Sequence, residues 1–538
     1  MIETPMGKFY SDKVVTADQA AAKIKDGAAL CSPIFGLAGW SEEVALAIRK
    51  RFLETGHPRD LTIICGSAMG NHKDKGPHVL GLEGLLKGCI GSSPHAAPSI
   101  VSMIQENKMT AYCLPQGVIV QMYREIAAGR PGIITKVGLG TFVDPRVEGG
   151  KMNEVTRKEP DLNEVITFNG EEYLWYKPFR LDVALIRGTK ADENGNVTME
   201  KEGAALEVLP VAQAVKNSGG IVIVQAEYLA KAGSLNPKSV KVPGVLVDYV
   251  VIAENPRENH WQTEALYYEP AFSGEVRVPF GALPELPFDE RLFIIRRAAH
   301  ELPVHGVINM GIGVPDRIAI LAGHEGVADL MTVTTEVGSI GGIPAGWPNF
   351  GMAYNNECFV DHQNQFDWYD GGGLDVAFLG LGEADKDGNI NVSKFNGRPI
   401  GCGGFINVSQ NAKKVVFCGT FTAHGLKVAA QDGRLQILQE GKMRKFRDQV
   451  EQITFSGKYA AKKKQPVLYV TERAVFELLD GAMTLTEVAP GIDLEKNILS
   501  QMDFKPRVSS ALKTMPADIF QPKWGKLREI MESRKRRS

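Results

Sequence analysis

One carboxylate of this chain is set where chemistry can use it. Thr334-Thr335-Glu336-Val337-Gly338-Ser339-Ile340-Gly341-Gly342 places Glu336 at the end of an apolar, β-prone run and directly before a glycine-rich turn. A carboxylate held rigidly there, with backbone that leaves room for a substrate, suits a nucleophile that forms a covalent acyl intermediate. A Glu that caps a turn and faces water has the same local sequence, so the rest of the chain must decide.

Two other stretches carry polar groups on similar frames. Tyr112-Cys113-Leu114-Pro115-Gln116-Gly117 is an apolar run that ends in an amide beside a glycine. Gln116 can donate to an oxyanion, or it can satisfy turn backbone groups. Gly401-Cys402-Gly403-Gly404-Phe405-Ile406-Asn407 offers consecutive backbone N–H groups with little side chain in the way. That suits an oxyanion hole or an anion nest, and equally a plain glycine turn before a helix.

Other chemistries find less support. Gly311-Ile312-Gly313 runs on to Asp316, and Gly138-Leu139-Gly140 to Val143, so each lacks the third glycine of G-x-G-x-x-G. No G-x-x-x-x-G-K-[ST] and no G-x-S-x-G is present, which weighs against ATP enzymes and α/β-hydrolases. The ten histidines show no H-x-x-x-H or H-E-x-x-H spacing, so no metal site is expected.

The elements that must position these residues read as α/β. Leu61-Thr62-Ile63-Ile64-Cys65, Ile221-Val222-Ile223-Val224, Val333-Thr334-Thr335 and Lys414-Val415-Val416-Phe417 are buried-strand patterns. Ser41 to Phe52 is helical in period, with Ser41 as a cap and Glu42 and Glu43 in the first turn. Alternation of such segments predicts mainly parallel sheets. An internal repeat organises them. The stretch from Asp182 through Asn194-Gly195-Asn196-Val197 recurs from Asp375 through Asp387-Gly388-Asn389-Ile390. A weaker echo pairs residues 26–39 with 305–315. The reading is two similar, duplicated α/β domains: 1–275, a Pro- and Gly-bearing linker 276–290, 291–522, and a basic tail 523–538. A site in such a fold belongs at the carboxyl ends of strands, in the cleft between domains, where Gln116 and Glu336 face each other if the halves pack as pseudo-equivalents.

Bulk properties agree with a globular protein. The chain has 538 residues, 44% of them hydrophobic and 23% charged, with a formal net charge of -2. That gives no electrostatic reason to expect nucleic acid or membrane as a partner. The 57 glycines exceed the usual share of about 7% and occur in short clusters, as expected for tight turns. Seven scattered cysteines without a C-x-x-C pair fit a reducing compartment. No secretory pattern follows Met1-Ile2-Glu3-Thr4-Pro5, so a cytoplasmic location is expected.

At this point the motifs, taken together and in order, resemble family I coenzyme A transferases. Glu336-Val337-Gly338-Ser339-Ile340-Gly341-Gly342 is similar to that family's E-x-G-x-I-G-G motif. Further matches are Leu114-Pro115-Gln116-Gly117, Gly140-Thr141-Phe142-Val143-Asp144-Pro145-Arg146 and Gln365 through Asp375. They continue through Gly401 to Asn407, Ile453 to Gly457, Thr471 to Phe476 and Glu487 to Leu494. One departure is Val337-Gly338-Ser339, where the family often has Ser or Thr after the Glu and Pro before the Ile. The resemblance is nearest to single-chain acetate or propionate CoA-transferases.

That resemblance implies a ping-pong exchange of CoA through a glutamyl-CoA thioester on Glu336. It implies oxyanion donors at Gln116 and near Gly404, and CoA contacts at Gly311, Ile312, Gly313, Gly401 and Gly403. Coenzyme A would be a substrate, with no permanently bound cofactor. The partners would be acyl-CoA and short-chain carboxylates, in a homo-oligomer (dimer or tetramer). The alternatives are an acyl-CoA hydrolase on the same fold and a non-catalytic acyl-CoA-binding protein.

Overall fold

The computed structural model describes residues 12–279 and 284–535. Met1 to Pro5, Gly281 of the expected linker, and Arg536 and Arg537 of the expected tail lie outside the described residues.

Runs that are apolar on both faces become central parallel strands, because helices cover both sides. In the first half, seven strands lie parallel in the spatial order Tyr249–Ile252, Ile221–Ala230, Val183–Asp192, Ala29–Ser32, Leu61–Ala68, Leu86–Ser93 and Thr110–Cys113. In the second half, the parallel order is Thr332–Thr334, Val307–Met310, Val376–Gly380, Lys414–Cys418 and Val467–Val470. Antiparallel strands Ala474–Leu479 and Ala482–Val488 extend that sheet. The chain is therefore α/β with duplicated, mainly parallel sheets.

The repeat is visible as repeated chemistry. The Asp182 carboxylate accepts from the Ala29 N–H at 2.7 Å, and the Asp375 carboxylate accepts from the Val307 N–H at 2.8 Å. Each ties the start of one strand to its neighbour. Further on, Asp192 accepts from the Asn194 and Asn196 N–H groups, and Asp385 from those of Asp387 and Asn389. Gly195 and Gly388 take φ of 86° and 77°, the left-handed values these tight turns need.

The strand order corrects one expectation. Leu61–Ala68 stands beside Ala29–Ser32 as Thr332–Thr334 stands beside Val307–Met310. The counterpart of the Glu336 turn is therefore the turn after Ala68. Gln116 follows Thr110–Cys113, two strands further out. Gln116 and Glu336 do meet, but not as pseudo-equivalents.

Two smaller readings also change. The helix at 41–52 runs Glu42–Thr55, and Ser41 precedes it without capping it, its hydroxyl donating instead to the Ile186 carbonyl at 3.0 Å. The stretch read as a basic tail, 523–538, does not stand apart from the second half. Leu527–Lys535 is a helix, and its Leu527 and Met531 are buried in the core of the second half.

Three helices bring the halves together: α1 (Gln116–Ala127), α2 (His362–Asp370) and α3 (Phe405–Asn411). Val120 of α1 packs in one apolar cluster with Phe366 and Tyr369 of α2. Ile406 of α3 and Cys402 belong to the first half's core. Gly117 is one point of close approach. A Cβ there would lie 2.6 Å from the Phe366 ring, and its N–H donates to Asn407 Oδ1 at 3.1 Å.

Candidate active site

Glu336 sits in a turn that its own neighbours lock. The Thr335 N–H donates to the Ser339 carbonyl at 3.0 Å, and the Gly338 N–H to the Thr335 carbonyl at 3.1 Å. Gly338 has φ of 103°, and a Cβ there would collide with the Val360 carbonyl oxygen. Below the turn, Thr334 Oγ1 lies 2.7 Å from the Tyr369 hydroxyl, and Asn309 Nδ2 donates to the Thr334 carbonyl at 3.1 Å. This is the rigid frame that a nucleophilic carboxylate requires.

The carboxyl of Glu336 meets two of the groups read from the sequence. It lies against Gly404, where a Cβ would fall 2.6 Å from Cδ and Oε1 and 2.7 Å from Oε2. Gly404 is the residue from which α3 starts. The amide of Gln116, the first residue of α1, stands near the Glu336 carboxyl from the other half and lowers its proton affinity. The loop that carries Gly404 is itself stapled across the cleft. Gly403 N–H donates to the Ser92 carbonyl at 2.9 Å, and Gln116 N–H to the Gly403 carbonyl at 3.0 Å.

Burial pushes the Glu336 carboxyl up to about 7. A Glu that acts as nucleophile attacks as the carboxylate, a form that gains population as pH rises through that value. The rate of acyl-CoA attack is therefore expected to climb between about pH 6 and 8 and then level off. Single-turnover adduct formation measured from pH 5.5 to 8.5 checks this, and a flat profile down to pH 5.5 contradicts it.

The residues expected to touch CoA divide. Gly311, Ile312 and Gly313 follow strand Val307–Met310, at the same carboxyl edge from which Thr332–Thr334 leads to Glu336. Ile312 is exposed, and a Cβ on Gly313 would meet nothing within 4 Å. A Cβ on Gly403 would have only Gln116 Oε1 near it, at 3.7 Å. Gly401 is different. A Cβ there would collide with the Ser92 carbonyl and lie 2.8 Å from Ser93 Cα, so this glycine serves the contact between the halves. Among the described residues, no group of three or more His, Cys, Asp or Glu could hold a metal ion.

Two residues beside the site were not singled out in the sequence. His362 and Glu207 are fully buried, with His362 Nδ1 2.7 Å from Glu207 Oε2 and His362 Nε2 2.9 Å from Gln116 Nε2. The histidines were read only for metal spacing. The signal for His362 was its place three residues before the family-like stretch that begins at Gln365.

Comparison with known proteins bears directly on this geometry. A coenzyme A transferase family model matches residues 14–253. The chain is 55% identical over 524 residues to the caffeate CoA-transferase of Acetobacterium woodii, spanning 96% of this chain and 99% of that one. The chain belongs to the family I coenzyme A transferases. This transferase is also 42% identical over 510 residues to the acetate CoA-transferase YdiF of Escherichia coli (strain K12), with 94% and 95% covered. Its fold matches the crystal structure of the acyl-CoA transferase (YdiF) apoenzyme from Escherichia coli O157:H7. The TM-score is 0.89 at 41% identity, over 95% of this chain and 96% of that one. A second structure of that enzyme is described as a thioester complex with CoA. Transfer of CoA between an acyl-CoA and a carboxylate follows for this transferase, with CoA as a substrate.

Proposed function

We propose that this transferase moves CoA from a short-chain acyl-CoA to a short-chain carboxylate of the acetate or propionate class through a glutamyl-CoA thioester on Glu336. The observation that carries this reading is the Glu336 carboxyl, fixed between Gly404 and the Gln116 amide. A Glu336 oxygen attacks the acyl carbonyl, the C–S bond breaks, and CoA leaves as thiolate from a mixed anhydride. The thiolate attacks Glu336 Cδ, the donor acid departs as carboxylate, and CoA is left bound to Glu336. An acceptor carboxylate then runs the same steps in reverse. Each addition forms an oxyanion, for which the Gln116 amide and the Gly404 N–H are the donors. Water must stay out, because anhydride and thioester both hydrolyse. Gly311, Ile312, Gly313 and Gly403 line the path for CoA, whose remote contacts lower the barrier at the thioester.

The work is expected in the cytoplasm, in a homo-oligomer, with residues 1–275 and 291–522 as the two units. Among the described residues, no helix is long and apolar enough to cross a membrane.

A second reading of the acid has its own support. Val337, beside the nucleophile, packs in an apolar cluster with Phe35, Leu206, Phe272, Ala345 and Met352. The 55% identity to a caffeate CoA-transferase supports an aromatic acid as one of the exchanged carboxylates. Labelled acetate incubated with propionyl-CoA and the enzyme should acquire CoA. Unlabelled caffeate in the same mixture suppresses that labelling if the aromatic reading holds, and leaves it unchanged if the site takes only short chains. Release of free CoA with no labelled acetyl-CoA would overturn the transferase assignment of this site in favour of hydrolysis.

A further inference from the structure

We propose that Glu207 and His362 are positioning residues, which hold the Gln116 amide with an N–H rather than its oxygen toward the oxyanion formed at Glu336. The proposal rests on the reading of Gln116 as an oxyanion donor and adds what makes it one. A glutamine amide can present either end, and the wrong end would set an oxygen against a developing negative charge. A single-bonded Gln116 would therefore lose much of its worth as a donor.

The contacts of this amide are all taken in one sense. Glu207 Oε2 lies 2.7 Å from His362 Nδ1 and is placed to accept from it, which sets the ring proton on Nδ1. The other ring nitrogen, Nε2, is then a lone-pair acceptor, and Gln116 Nε2 donates to it at 2.9 Å. On the far side, Ser67 Oγ donates to Gln116 Oε1 at 3.1 Å. The amide oxygen and one N–H are thus committed, which leaves one N–H for an oxyanion at the nearby Glu336. Gln116, His362 and Glu207 are all buried, so water does not offer the amide an alternative partner.

The backbone is arranged to keep this chain of bonds in place. Leu206 takes φ of 54°, an uncommon conformation for a bulky residue, immediately before Glu207. The same Leu206 carbonyl accepts the His362 N–H at 3.2 Å, so His362 is gripped by both backbone and side chain. Glu207 Oε1 lies 3.2 Å from where a Cβ of Gly66 would be, so the small residue there leaves room for the carboxylate. Glu207 and Gln116 come from the first half and His362 from the second. A purely cohesive role for such a bridge would leave the chemistry alone once the protein has folded.

A double-mutant cycle separates the two roles. Single-turnover formation of the Glu336 adduct and steady-state kcat and KM are measured for His362→Phe, Gln116→Ala and the pair. Glu207→Gln, which keeps the shape of its side chain, is run through the same cycle in case His362→Phe does not fold. His362→Phe is expected to lower kcat by about 10–100-fold while KM for acyl-CoA moves less than about threefold. On the Gln116→Ala background it should cost less than about threefold more. His362→Gln, whose amide oxygen can still accept at the Nε2 position, should recover most of the loss. An additive penalty on the Gln116→Ala background, or a loss carried by KM, would overturn the positioning role while leaving Gln116 as a donor. If Gln116→Ala is itself as fast as the natural protein, the donor reading of Gln116 falls, and this proposal falls with it.

Discussion

Glu336→Ala is expected to lower CoA transfer by roughly 10⁴-fold or more, because it removes the atom that forms the covalent bond in the proposed mechanism. The substitution should cost little in folding. The Glu336 turn is held by the backbone bonds of Thr335, Gly338 and Ser339, none of which uses the carboxyl. The decisive measurement is peptide mass spectrometry after incubation with acyl-CoA. The natural protein should yield CoA joined to the peptide that bears Glu336, and Glu336→Ala should yield none. Full activity in Glu336→Ala would refute the covalent mechanism outright. An adduct on a different peptide would move the nucleophile elsewhere.

Gly404→Ala is the second large effect, and it separates geometry from chemistry. The added methyl would lie 2.6–2.7 Å from all three atoms of the Glu336 carboxyl group. Those atoms are the far end of a flexible side chain, so the fold can relieve the clash by moving the carboxyl. The expected result is a near-normal melting temperature with transfer reduced about 100-fold or more, as when an oxyanion donor is lost. The carboxylate would still be present but displaced from the line between the Gly404 N–H and the Gln116 amide. Adduct formation slowed to the same degree as turnover would place the defect in the attack. A large fall in melting temperature with normal specific activity of the folded fraction would show that Gly404 serves packing alone.

Much of this fold could be read from the order of residues, for identifiable reasons. Leu61 to Cys65 and Lys414 to Phe417 are short, apolar and β-branched, and their burial on both faces leaves a plain periodic signal. The turn chemistry of Asp192 with Asn196 and of Asp385 with Asn389 is local, so the duplication showed in sequence as well as in space. Registration across the cleft is another matter. Nothing near Gln116 reveals that its strand stands two places beyond the counterpart of the Glu336 strand, because strand order is set by packing between distant segments. The same is true of Ser41, whose hydroxyl is used by Ile186 and not by its own helix.

The site was legible where its function needs unusual backbone. Glycines at 338, 403 and 404 leave a cluster that can be found without a structure: a Cβ at 338 or 404 would collide with Val360 or Glu336, and Gly403 takes φ of 52°. His362 and Glu207 left no such trace. They lie 155 positions apart in the chain, occupy ordinary conformations in their own backbone, and acquire meaning only through the bond between them.

The raised proton affinity of Glu336 has a further consequence in the proposed mixed anhydride. Two carbonyls there are open to the CoA thiolate. Attack at Glu336 Cδ expels the substrate carboxylate, and attack at the other carbonyl expels Glu336 and regenerates the starting acyl-CoA. A carboxylate that holds its proton up to about 7 also holds an acyl group more firmly than an ordinary carboxylate near 4. The substrate acid is then the better leaving group. On the proposed mechanism, burial of a single side chain would thereby bias the branching of the intermediate toward CoA captured on the enzyme, and make Glu336 reluctant to be displaced once it has attacked.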